Sequence, residues 1–153
     1  MRPREVLQFC RLAAEKADQR GHERILPEDL YDAEKEFSQW KIDDLCNEFL
    51  FAYPGLKEEI LQRFYGGPAR LSPDKLRHLL EDALTDPRKR ERPFWLENLS
   101  HTDILAQILY DIGFLRGTGQ NKIWQSSQHP DFDLSRAEAF NVHPAFRSYL
   151  RIG

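Results

Sequence analysis

The apolar residues of this chain keep a helical period as far as Ile112 and lose it at Gly113, and that switch constrains the fold more than any other feature. The first helical segment, Arg2 to Arg20, places Val6, Phe9, Cys10, Ala13 and Ala17 at helical spacing, with Pro3 in the first turn and Gly21 as its stop. A second begins at Pro27, where Glu28 and Asp29 suit the positive end of a helix dipole. Its apolar side is Leu30, Ala33, Phe37, Ile42, Leu45, Cys46 and Phe49. The register slips across Ser38 to Lys41, which leaves open two helices or one kinked helix before Pro54-Gly55. Three further helices follow: residues 56–65 around Ile60, Leu61 and Phe64; residues 73–84 after a Ser72-Pro73-Asp74 start; and residues 101–112, opened by a capping-box pattern from Ser100 to Asp103.

Beyond Gly113 the pattern is that of strands. Phe114-Leu115, then Arg116-Gly117-Thr118-Gly119-Gln120, then Lys122 to Gln125 reads as strand, glycine turn and strand. Residues Ala139 to His143 form another strand, and Pro144 starts a last short helix through Phe146, Tyr149 and Leu150. Ala69 to Leu71 can supply one more short strand. The expected fold is therefore mainly α: a helical block over residues 1–53, then a winged helix-turn-helix over 56–153 with a small C-terminal β-hairpin wing. The linker at 85–100 is too long for a tight helix-turn-helix, so the match is one of plan. An amphipathic helix that starts almost at residue 1 is what a segment of a longer protein would show.

Three stretches carry a family resemblance. Arg2-Pro3-Arg4, opening an apolar helix, resembles the start of the helical lid in prokaryotic P-loop NTPases of the STAND and KAP type and in origin-recognition-like, AAA-related ATPases. Leu109-Tyr110-Asp111-Ile112-Gly113-Phe114-Leu115 is similar to the end of the recognition-like helix in their winged-helix domains. Phe140-Asn141-Val142-His143-Pro144-Ala145-Phe146 through Leu150 resembles the closing strand and tail. The resemblance implies a C-terminal regulatory or interaction module that couples nucleotide state to partner binding or oligomerisation. It implies Arg4, and secondarily Arg2, as nucleotide-sensing arginines. ATP and Mg²⁺ would belong to an NTPase core lying N-terminal to this chain. That core would be the partner in cis, beside a protein partner or a second copy.

The residues themselves offer no catalytic constellation. No stretch matches G-x-x-x-x-G-K-[ST], and Gly117-Thr118-Gly119 sits where a hairpin turn belongs. Neither a G-x-S-x-G elbow nor a His or Cys pair at ligand spacing occurs. Cys10 and Cys46, each among apolar residues, read as buried free thiols; His143 reads as a structural hydrogen-bonding residue. The Trp residues at 40, 95 and 124 read as core. The alternative function is DNA binding. The cluster Arg88, Lys89, Arg90 and Arg92, together with Arg116 and Lys122 beside the wing, could touch phosphate. Against it stand a net charge of -3 and two acids, Asp103 and Asp111, on the outward side of the third helix. No apolar run is long enough to span a bilayer and the start is no signal peptide, so the expected location is cytoplasmic.

Overall fold

A computed structural model describes residues 2–86 and 92–153; the sequence cluster at Arg88, Lys89 and Arg90 lies outside the described residues. The fold is mainly helical with a small four-stranded antiparallel sheet. Helix α1 (Pro3–Gln19) and helix α2 (Pro27–Glu48) form an antiparallel hairpin. Phe9 meets Phe37 edge-on at 5.6 Å between ring centroids, and Leu12, Ala13, Ala33 and Phe37 make a small core of their own. The turn between the helices is latched by Asp29, whose buried carboxylate accepts from Arg20 Nη1 at 2.9 Å, His22 Nδ1 at 2.9 Å and the Leu26 N–H at 2.8 Å. Burial works against that charge, but the donors outweigh it and hold the acid at a pKa of about 2.

Helix α2 runs unbroken, and the slip in its apolar register has a physical cause: it changes partner half-way. Ala33 and Phe37 face α1, whereas Ile42 and Leu45 enter the larger core. Between them Ser38 is buried, and its hydroxyl accepts the Tyr149 N–H at 2.9 Å. That bond ties the C-terminal segment to the middle of α2.

The next expected helix is two pieces. A four-residue helix α3 (Leu56–Glu59) follows Gly55, whose φ of 76° suits glycine, and then tightens into a 3-10 turn over Leu61–Phe64. Strand β1 (Arg70–Leu71) precedes α4 (Pro73–Thr85), capped by Ser72 Oγ accepting from the Lys75 N–H. A short α5 (Phe94–Glu97) leads to α6 (Thr102–Asp111), whose N-cap is His101 with no side-chain cap, so the Ser100–Asp103 box does not form. Ile104 is 46% exposed, while Tyr110 is fully buried and donates its hydroxyl to His129 O at 2.6 Å.

Strands β2 (Leu115–Gly119), β3 (Lys122–Trp124) and β4 (Ala139–Val142) complete the sheet in the order β1-β4-β2-β3. The hairpin turn falls at Gln120-Asn121, with φ of 49° and 60°, and not at Gly117-Thr118-Gly119. Those glycines lie within β2 for want of space. A Cβ on Gly117 would stand 2.9 Å from the Phe132 ring, and one on Gly119 3.2 Å from Glu138. Phe132 in turn stacks on Trp124 at 4.4 Å, which pins the polar stretch after β3 to the sheet. Helix α7 (Pro144–Arg147) closes the large core through Phe146, 5.4 Å from Phe114.

Candidate functional site

Each arginine expected to sense nucleotide lies at the open end of the α1–α2 hairpin. Arg4 Nη2 donates to Asp44 at 2.7 Å, and its guanidinium lies 5.3 Å from the centre of the Trp40 ring. Arg2 is exposed, and its backbone N–H donates to Glu5 at 3.1 Å. One turn further in, Lys41 pairs with Glu5, which lowers the Glu5 pKa despite its burial. Arg4 thus bridges the two helices.

Helix α1 is apolar on two sides. At about 100° per residue, Phe9, Leu12, Ala13 and Ala17 share the arc that faces α2. Leu7, Cys10 and Ala14 occupy an adjoining arc, roughly a third of a turn away; these three and Val6, which lies on the margin of the first arc near the helix start, are all exposed, Leu7 to 72%. The burial expected for Cys10 is therefore corrected: its apolar neighbours are themselves outside the packed face. Cys46 is half-buried, and burial together with the Glu58 charge pushes its thiol up to about 11, which makes it unreactive. Two further apolar side chains are exposed elsewhere: Phe51, just past α2, is fully solvated, and Phe94, at the start of α5, is 81% exposed.

The cations assigned from sequence to phosphate contact separate. Arg92 donates to the carbonyls of Leu84 and, at 2.7 Å, Asp86, so it staples the end of α4. Arg116 lies on the outer face of the sheet, and Lys122, beside Ile123 on the edge strand, stands at the rim of a shared pocket. Register places Arg70, Asn141 and Arg116 side by side on β1, β4 and β2, with Thr118 and Ile123 in the next row. Arg147 reaches in from α7, its Nε donating to Val142 O at 2.7 Å. These residues line a pocket of about 390 Å³ with Lys122, Asn121 and one carboxylate, Glu138. Asn141 is held in place by Thr118 Oγ1 at 3.4 Å, and Thr118 donates onward to Ala139 O at 3.2 Å. Arg116 Nε is buried without a hydrogen-bond partner, and burial followed by the neighbouring Arg147 charge lowers its pKa. Sequence reasoning missed Arg70, Asn141 and Arg147. Strand pairing brings Arg70 and Arg116 to either side of Asn141, and the placement of α7 brings Arg147 beside them; neither can be read from the local sequence.

The outward side of α6 carries Asp103, Ile104, Gln107 and Asp111, and Gln107 donates to Asp111 at 2.8 Å. His22, Glu28 and Asp29 stand close enough to share a cation, but Asp29 is already the acceptor of the Arg20 latch. No helix among the described residues is long and apolar enough to cross a membrane.

Residues 1–46 match the model of a family described as the FunZ-associated C-terminal helical domain. The matched segment is α1 and nearly all of α2, the hairpin with the two-sided first helix. No curated protein and no solved structure matches the chain.

Proposed function

We propose that the chain is a non-catalytic accessory module of a larger P-loop NTPase, docked on the nucleotide-binding core through its helical hairpin. The observation that carries this reading is the outer apolar stripe of α1, Leu7, Cys10 and Ala14 with exposed Val6 beside it, in the segment that matches a C-terminal helical domain. A helix with one apolar stripe packs on its own domain; a second stripe calls for a further surface. In this reading ATP and Mg²⁺ bind the core, and the hairpin responds to them. Arg4, bridged to Asp44 and set over Trp40, stands at the hairpin end where a change in the core would be felt.

Residues 56–153 are proposed as a winged-helix domain. Support comes from the element order, in which helical segments interrupted by the short β1 and including the extra short α5 precede the β2–β3 hairpin, and from β4 lying between β1 and β2. Strand β3 would then be an extra edge strand in the wing. DNA reading by α6 is the weaker alternative, because its outward side offers two acids and an exposed isoleucine where groove-reading helices offer amides and cations.

The test begins with the reading frame that encodes the chain. A G-x-x-x-x-G-K-[ST] loop between a strand and a helix ahead of Arg2 is the expected finding. In that full polypeptide, Leu7→Asp should change nucleotide hydrolysis while the isolated chain keeps its melting temperature. A reading frame with no nucleotide-binding core overturns the proposal.

A further inference from the structure

We infer that the pocket on the outer face of the sheet binds a phosphate group, as presented by a nucleotide or by a nucleic-acid strand. The inference stands apart from the docking of α1, since none of the residues it uses lies in the α1–α2 hairpin. Its starting point is an electrostatic arrangement the fold does not resolve by itself. Arg70, Arg116, Lys122 and Arg147 converge on about 390 Å³ of space against a single carboxylate, Glu138, in a chain whose net charge is -3. Among the described residues, none of the four cations forms an ion pair. Most other arginines and lysines of the hairpin do, which shows that carboxylates are not scarce elsewhere.

Arg116 is the centre of the arrangement. A guanidinium with its Nε buried and unpartnered, beside a second guanidinium, is costly unless something supplies negative charge. The protein keeps it in position. Cross-strand pairing sets Arg70 and Arg116 on either side of Asn141, with Cα atoms about 10 Å apart at the usual strand spacing. Arginine side chains from both flanks can close on an anion held above Asn141. Arg147 is anchored by its Nε to Val142 O, which leaves its terminal amino groups for the pocket. Planar donor forks from several sides and more than one excess positive charge suit a phosphate better than a lone carboxylate. Lys122 on the edge strand β3, next to exposed Ile123, extends the positive rim outward.

The experiment measures binding of the intact 153-residue chain to two probes, ATP and a fluorescein-labelled oligothymidylate, at low and moderate salt. At least one should bind, with affinity falling as salt rises. Arg116→Met should weaken that binding roughly 10- to 100-fold, the equivalent of one or two charge-assisted hydrogen bonds. The same variant should melt no lower than the parent, because it removes an unpaired buried donor; a purely structural arginine would show the reverse. Arg70→Gln, at an exposed position, should weaken binding about tenfold with folding untouched. Arg11→Gln on α1 should leave binding as it was. Binding of ATP that the oligonucleotide cannot displace identifies a free nucleotide as the source. Oligonucleotide binding with a steep salt dependence, resistant to ATP, identifies a nucleic-acid strand. Should neither probe bind, or should Arg116→Met and Arg70→Gln bind as the parent does, the inference is overturned.

Discussion

Leu7 and Leu12 lie five residues apart on one helix and should respond to the same truncation in opposite ways. Leu12 is 7% exposed and packs with Ala13, Ala33 and Phe37. Buried Leu→Ala changes cost about 2–5 kcal/mol, and a small cluster between two helices can partly close the gap, so about 2–3 kcal/mol is expected for Leu12→Ala. For a chain of this size each kcal/mol moves the melting temperature by roughly 2–4 °C, giving a fall of roughly 4–12 °C. Leu7 is 72% exposed. It has little contact to lose, and alanine is the better helix former, so Leu7→Ala should cost under about 0.5 kcal/mol. Thermal unfolding followed by circular dichroism, at low and high protein concentration, reads both. A Leu7→Ala variant that melts as early as Leu12→Ala would refute the two-sided reading of α1. If that loss grew with concentration, the outer stripe would already be covered by a second copy, and the proposed docking surface would not be free.

Two other outcomes follow from the geometry. His143 accepts the Ala145 N–H on Nδ1 at 3.1 Å, and burial, with the charges of Arg116 and Lys41, depresses its pKa from 6.5 to about 4. A histidine held neutral in the fold contributes its full stability above pH 6.5 and loses it as pH falls towards 4. Denaturant titrations across that window should show the parent losing about 1–2 kcal/mol more than His143→Gln, a figure reduced for the ring's partial solvation; parallel curves would exclude the linkage. Gly117→Ala should destabilise by about 1–3 kcal/mol, because its Cβ would meet the Phe132 ring at 2.9 Å and drive it off Trp124. The near-ultraviolet signal of that stacked pair should fall with it, and an unchanged spectrum would show that the ring has room to move.

What the sequence makes legible here is local. The helical periods of α1, α2, α4 and α6 survive in the structure because each of these helices turns an apolar face to a core. The reading weakens where a residue answers to something distant. The slip in α2 reflects a change of partner at Ser38, which the C-terminal Tyr149 engages from 111 residues away. Gly117 and Gly119 look like a turn but make way for Phe132 and Glu138. Cys10 carries the apolar signature of a core position while lying on the outer arc of its helix. The phosphate candidates show the same limit: Arg92 is held by the carbonyls at the end of α4, while Arg70 and Arg147 join Arg116 only through strand register and the placement of α7.

Helix α2 is about 33 Å of rigid rod at the usual rise per residue, and it contributes to the cores at both of its ends. A rod fixed at two points behaves as a lever. A push on α1 cannot be absorbed within the hairpin, because the same helix carries Ile42 and Leu45 in the larger core and is tethered by Ser38 to the segment after α7. Arg147, in that helix, is one wall of the basic pocket. Tilting α2 by a few degrees would therefore move a guanidinium at the sheet, giving the hairpin and the pocket a mechanical connection without a hinge between them.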